Sequence, residues 1–139
     1  MNVLFDASAM FKRYSGEAGI ARVLQLQASA SAITAAVHCK TEVASALNRQ
    51  WREGAFSDDE YERVLADIHA DFDDLAVMPL TSQAERYAIA AMRLASLRGT
   101  DALHIGTAQA AQVDLFVTAD KRQAAAAQTV GLKTELIEI

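Results

Sequence analysis

Short apolar runs alternate with longer segments of helical period along the whole chain, and this alternation limits the fold more than any other feature. The runs read as strands at Asn2–Phe5, Ala32–Thr34, Ala76–Leu80, Leu115–Thr118 and Glu135–Ile139. Between them, apolar residues recur every three or four positions. A short helix is expected after Asp6, and a second over Ile20–Gln27, with Ile20, Val23, Leu24 and Gln27 on one face. A long helix over Ala36–Glu53 is expected to close at Gly54. Ser57-Asp58-Asp59-Glu60 has the spacing of a capping box, and Tyr61, Val64, Leu65, Ile68, Phe72 and Leu75 follow at helical period. Ser82 with Glu85 repeats that spacing, and its helix is expected to stop at Gly99. A further helix should start near Asp101 and another should cover Asp120–Gln128. Strands alternating with helices favour a parallel sheet covered on both faces, which is an α/β fold of the three-layer α/β/α sandwich kind.

The chain has 139 residues and no linker, repeat or low-complexity run, so a single domain over 1–139 is expected. An apolar content of 52% with one proline excludes a disordered chain. Cys39 is the sole cysteine, which excludes an internal disulfide. No basic region precedes the first apolar run, and Asp6 interrupts it early. No signal peptide is therefore expected. No uncharged apolar run has the length of a membrane span. These features together imply a cytoplasmic protein with no membrane partner.

In parallel sheets, sites form beyond the carboxyl ends of the strands. Asp6 follows the first strand and Asp120 the fourth, so both belong at that edge. Each also suits a helix N-cap, where a carboxylate accepts from the first turn. Asp101 suits a first-turn acid favoured by the helix dipole. Glu42 borders the helical face of Cys39, Val43, Ala46 and Leu47, at the margin of a core. Asp101 opens the run TDALHIGTAQA, an apolar, small-residue helix that should be well buried, and an acid there needs a partner. Ser8 and Thr118 stand two residues from Asp6 and Asp120, within reach of a carboxylate or a coordinated water.

Hard oxygens gathered without basic partners suit Mg2+ or Mn2+, whereas zinc prefers His and Cys. His38, His69 and His104 share no zinc-ligand spacing with Cys39, although His104 lies one turn from Asp101. Mg2+ keeps several waters and adds substrate phosphates, which is the chemistry of phosphodiester hydrolysis. Carboxylates brought together repel, so at least one of them is expected to resist ionisation. Met10, Phe11 and Tyr14, just beyond Asp6, are divided between a core role and a partner surface.

From end to end the chain resembles a PIN domain of the VapC toxin type. The resemblance rests on VLFDAS at the first strand, on EVASAL from Glu42 to Leu47, on TDALHIGTA from Thr100 to Ala108, and on DLFVTADKR from Asp114 to Arg122. It implies an α/β/α fold with Asp6, Glu42, Asp101 and Asp120 as catalytic acids and Mg2+ (or Mn2+) ligands, supported by Ser8 and Thr118. It also implies an endoribonuclease that uses metal-activated water on an RNA substrate. The implied partners are a small antitoxin protein and a second copy in a homodimer.

A net charge of −5 disfavours a non-specific nucleic-acid binder, but taking out the four site acids (−5 + 4) leaves −1. Lys12 and Arg13 are the first candidates for RNA phosphate contacts, with Lys40, Arg98, Lys121 and Arg122 after them. Two rivals carry weight. A non-catalytic binding module could retain the same fold. An aspartate-based phosphotransfer or receiver domain would need a second acid two residues after Asp6, or paired acids and a late lysine, and the chain has Ser8 there.

Overall fold

The computed structural model describes residues 1–138, and Ile139 lies outside them. Five parallel strands form one sheet in the order β3-β2-β1-β4-β5: β1 Asn2–Phe5, β2 Ala32–Ala36, β3 Ala76–Met78, β4 Leu115–Thr118 and β5 Thr134–Leu136. The helices are α1 Ala7–Ser15, α2 Ile20–Ser29, α3 Cys39–Arg52, α4 Asp58–Asp73, α5 Ser82–Leu94, α6 Gly99–Ala111 and α7 Lys121–Thr129. None of them is long and apolar enough to cross a membrane.

Side chains on a strand alternate between the faces of its sheet, and β1 shows the result. Val3 and Phe5 enter one core with Met10 and Phe11 of α1, Val23 and Leu26 of α2, Val43 and Leu47 of α3, and Ile68 and Phe72 of α4. Leu4 enters a second core with Ile105 and Ala108 of α6, Phe116 of β4 and Ala126 and Ala127 of α7. Both faces are therefore covered, which is why the central strands read as continuous apolar runs.

Within the second layer, α5 and α6 pack closely at Gly106, where an added Cβ would stand 2.2 Å from the Ala84 carbonyl oxygen and 2.8 Å from the Ala88 nitrogen. Strand order reverses between β1 and β4, which pair Val3 with Leu115 and Phe5 with Val117. Crevices at such switch points are where open α/β sheets bind ligands.

The capping box at Ser57 and Glu60 forms as expected, with both reciprocal bonds present. Several expected boundaries shift. β2 continues to Ala36, and α3 begins only at Cys39, after a turn through Val37 and His38. β3 ends at Met78, ahead of Pro79, which has no N–H for a ladder. The N-cap of α5 is Thr81, which accepts from the Ala84 N–H at 3.1 Å, so Ser82 is its first helical residue. That helix stops at Leu94 with Ala95 extended, and Gly99 opens α6 instead of closing α5. Of the last expected strand, Glu135 and Leu136 lie in β5; Ile137 and Glu138 follow it, and Ile139 falls outside the described residues.

Candidate active site

Asp6 stands at the end of the central strand, with its N–H donating to the Val117 carbonyl at 3.0 Å. It caps α1, and its side chain is buried. Oδ1 accepts from Ser8 Oγ at 2.7 Å and from the Ala9 N–H at 3.0 Å. Oδ2 accepts from Thr118 Oγ1. Each hydroxyl spends its one proton on Asp6 and accepts in turn from the turn after β4. The Ala119 N–H donates to Ser8 at 2.9 Å and the Asp120 N–H to Thr118 at 3.0 Å. One network thus ties the ends of β1 and β4 together.

Asp6 does resist ionisation. Burial raises its carboxyl above the ordinary value and outweighs the charge of His104 and the hydrogen bonds that favour the anion. The cause is removal from water, as the hydroxyl cage shuts the carboxylate in, and not the expected repulsion among acids.

Asp120 caps α7, with Oδ1 accepting from the Arg122 and Gln123 N–H groups. Gln123, a residue the sequence reading passed over, is buried and sends Nε2 to the Asp101 carbonyl at 2.9 Å. It therefore links the helix starts that carry Asp120 and Asp101. Asp101 lies in the first turn of α6 and pairs with Arg98 at 3.2 Å. As expected, the middle of α6 is well buried, from His104 through Ala108.

Glu42 departs from the expectation of acids without basic partners. His104 Nε2 lies 2.6 Å from its Oε1 and His38 Nε2 lies 3.2 Å from the same oxygen. Burial acts to raise the Glu42 carboxyl, but the hydrogen bond and charge of His104, with His38 behind them, hold it below its usual range. His104 is 2% exposed and packs against His38, ring centroids 4.2 Å apart. The pairing with His104 spans 62 residues, so no spacing announced it, whereas His38 and Glu42 stand at i and i+4. Cys39 is buried beneath, with its thiol pushed up by burial, and offers no nucleophile.

Glu42, Asp101 and Asp120 border an open groove, whereas Asp6 is buried and lines neither part of it. Ser8, Lys12, Glu17, Glu42, Arg49, Gln50 and Asp120 line its main part. Asp120 also lines the adjoining hollow with Arg98, Asp101 and Arg122. Of the expected phosphate contacts, Lys12 lies in the groove but is buried and paired with Glu17 at 2.7 Å. Arg13 does not reach it. It turns to Asp71 at 3.1 Å and Gln27 at 2.6 Å, in a separate pocket with Met10 and Tyr14. Lys121 lines a third hollow by β5, and Lys40 lines none of these. Arg49 is a groove cation that the sequence reading missed. Met10 and Phe11 are core, and Tyr14 packs on that core and donates to Asp71 at 2.8 Å.

Thr118→Val keeps the shape of the side chain while removing the donor to Asp6 and the acceptor for the Asp120 N–H. The buried groups left unpaired are expected to cost about 1–3 kcal/mol in urea unfolding.

A family model for the PIN domain matches residues 3–128. No curated protein sequence matches the chain. Among solved structures the chain is similar to VapBC2 from Rickettsia felis bound to a DNA fragment from their promoter, at 13% identity over 98% of each chain with a TM-score of 0.70. It is similar to DNA-bound VapBC from Salmonella typhimurium, at 16% identity over 97% of each chain with a TM-score of 0.68. It is also similar to VapC20 from Mycobacterium tuberculosis, a sarcin-ricin loop cleaving toxin, at 18% identity over 89% of this chain and 94% of the other, TM-score 0.69. At these identities the likeness is one of fold.

Proposed function

The chain belongs to the PIN-domain family, and on that premise we propose that it is a Mg2+-dependent endoribonuclease acting as the toxin of a toxin–antitoxin pair. The observation that carries this reading is the hydroxyl network that joins Asp6 to Asp120 where the strand order reverses, with Asp101 tied to Asp120 through Gln123.

The residues fit a hard divalent cation. Their donors are carboxylate oxygens, and Asp6 is a buried acid that ionises more readily with positive charge beside it. Asp6, Glu42, Asp101 and Asp120 would hold the ion; Mn2+ would serve as well as Mg2+. Such a cation lowers the pKa of water and offsets charge on the scissile phosphate. Thr118 and Ser8 fix the Asp6 carboxylate in one rotamer. Arg98, Arg122 and Arg49 line the groove where an RNA backbone would lie, and their role is to position phosphates. Lys12 joins them only by leaving Glu17.

Incubation of labelled RNA with the protein, with EDTA and after Mg2+ is restored, tests the reading. Cleavage that is indifferent to EDTA would sink it. An acidic groove is also complementary to a basic side chain offered by a small antitoxin, which would compete with the cation. Toxicity on expression is expected to vanish when such a partner is co-expressed. A homodimer is proposed with it, and light scattering decides that point.

Mg2+ binds the folded groove and hardly binds the unfolded chain, so it is expected to raise the melting temperature. At a hundredfold excess over Kd the gain is about 2.7 kcal/mol. Asp101→Asn leaves a residue that still suits the helix start and gives up only the solvent-screened pair with Arg98, which is 81% exposed. Metal-free stability should barely move while the Mg2+ response shrinks. An undiminished response in calorimetry would remove Asp101 from the site.

A further inference from the structure

Two histidines from different parts of the chain converge on one carboxylate oxygen beside the groove. His38 precedes α3, Glu42 sits one turn along it, and His104 comes from α6. Among the described residues, these form the set of three His, Cys, Asp or Glu side chains whose ligand atoms lie within 4.8 Å of one another.

The donor chemistry differs from that of the aspartates. Mg2+ takes oxygen and gives up water reluctantly. Two imidazole nitrogens with one carboxylate suit a borderline ion such as Zn2+ or Co2+, held by three protein ligands with one position open. Around a tetrahedral ion with bonds near 2.0–2.1 Å, ligand atoms stand roughly 3.3 Å apart. The His38–Glu42 separation of 3.2 Å already meets this. The His104–Glu42 separation of 2.6 Å must open by about 0.7 Å on the same geometry.

The rings also allow it. His104 is buried, and its Nδ1 meets no protein partner. Its Nε2–H donates to the Glu42 carboxylate, so ligation moves that proton to Nδ1, where it breaks no existing bond. His38 makes the same exchange, because its Nε2–H now donates to the Thr100 carbonyl at 2.8 Å, and ligation moves that proton to Nδ1.

We propose that His38, Glu42 and His104 form a binding site for a transition-metal ion of the Zn2+ class, chemically distinct from the oxygen site of Asp6, Asp101 and Asp120. Binding itself does not rest on the nuclease reading. One consequence does: an ion held here withdraws Glu42 from the groove.

The test titrates metal-free full-length protein with Co2+, a spectroscopic stand-in for Zn2+. A strong visible d–d band is expected, the mark of four- or five-coordination, saturating at one ion per chain. Zn2+ should remove the band and excess Mg2+ should not. His38→Ala should abolish it, and Asp101→Asn should retain it. In the wild-type protein, ring resonances of two histidines should show hyperfine shifts while those of His69, exposed on α4, do not; this arm holds even if the variant fails to fold. Weak octahedral absorption alone, displacement by Mg2+, a band surviving in folded His38→Ala, or unshifted histidines would each overturn the proposal. A protein that cleaves no RNA yet gives the band separates this site from the nuclease reading.

Discussion

Asp6→Asn is expected to lower RNA cleavage by at least 10²- to 10³-fold, the scale on which single charge-stabilising groups act, while leaving the fold in place. Asparagine still caps α1, because its carbonyl oxygen can accept from Ala9. What disappears is the negative charge at the junction of β1 and β4. The variant should also gain stability in EDTA. The folded-state pKa of Asp6 is raised above its unfolded value of 3.8, with burial as the main cause. The stability this contributes is fully present below 3.8 and is lost as pH rises through the folded value. Once the carboxyl ionises, the wild-type protein carries a buried charge that the variant does not. The difference in melting temperature, variant minus wild type, is therefore expected to widen with pH and to close when Mg2+ is added to the wild type. A variant that cleaves at near wild-type rate would remove Asp6 from the site.

Gly106→Val should destabilise the protein by about 3 kcal/mol or more, or prevent folding, through overpacking in a buried contact. The new Cβ has nowhere to go: it would overlap the carbonyl oxygen of Ala84 and press on the Ala88 nitrogen. Both are backbone atoms, so relief requires α5 and α6 to part. Gly106→Ala separates two effects. Alanine gains roughly 1 kcal/mol of helix propensity over glycine, yet it brings the same Cβ, and net destabilisation is expected because the approach is far inside contact distance. A neutral or stabilised alanine variant in urea unfolding would show that the helices are free to move apart.

The sheet was legible because its central strands are buried on both faces and read as plain apolar runs, as in Val3–Phe5 and Leu115–Thr118. The places of Asp6 and Asp120 followed from chain order alone, since each closes such a run. Gly99 misled because glycine more often ends a helix than begins one; here the chain leaves α5 in an extended conformation at Ala95 and re-enters at Gly99. Arg13 misled for a different reason. Successive helix residues point about 100° apart, so Lys12 enters the groove while its neighbour reaches α4. His104 was visible only as a turn-mate of Asp101. Its bond to Glu42 crosses from α6 to α3, and only the packed fold brings those helices together.

The bond from Thr118 to Asp6 joins residues 112 positions apart, through a strand pair made of an early and a late segment of the chain. This has a consequence in time. A chain emerging from the ribosome can form α1 to α4 and bury much of the first core, yet β1 lacks its neighbour on one side until β4 appears. The proposed nuclease is therefore silent throughout most of its own synthesis. The last of the proposed site acids, Asp120, belongs to the slow, long-range stage of folding in which distant strands must find one another. A partner that grips α1 to α4 would meet the nascent chain before the groove is complete.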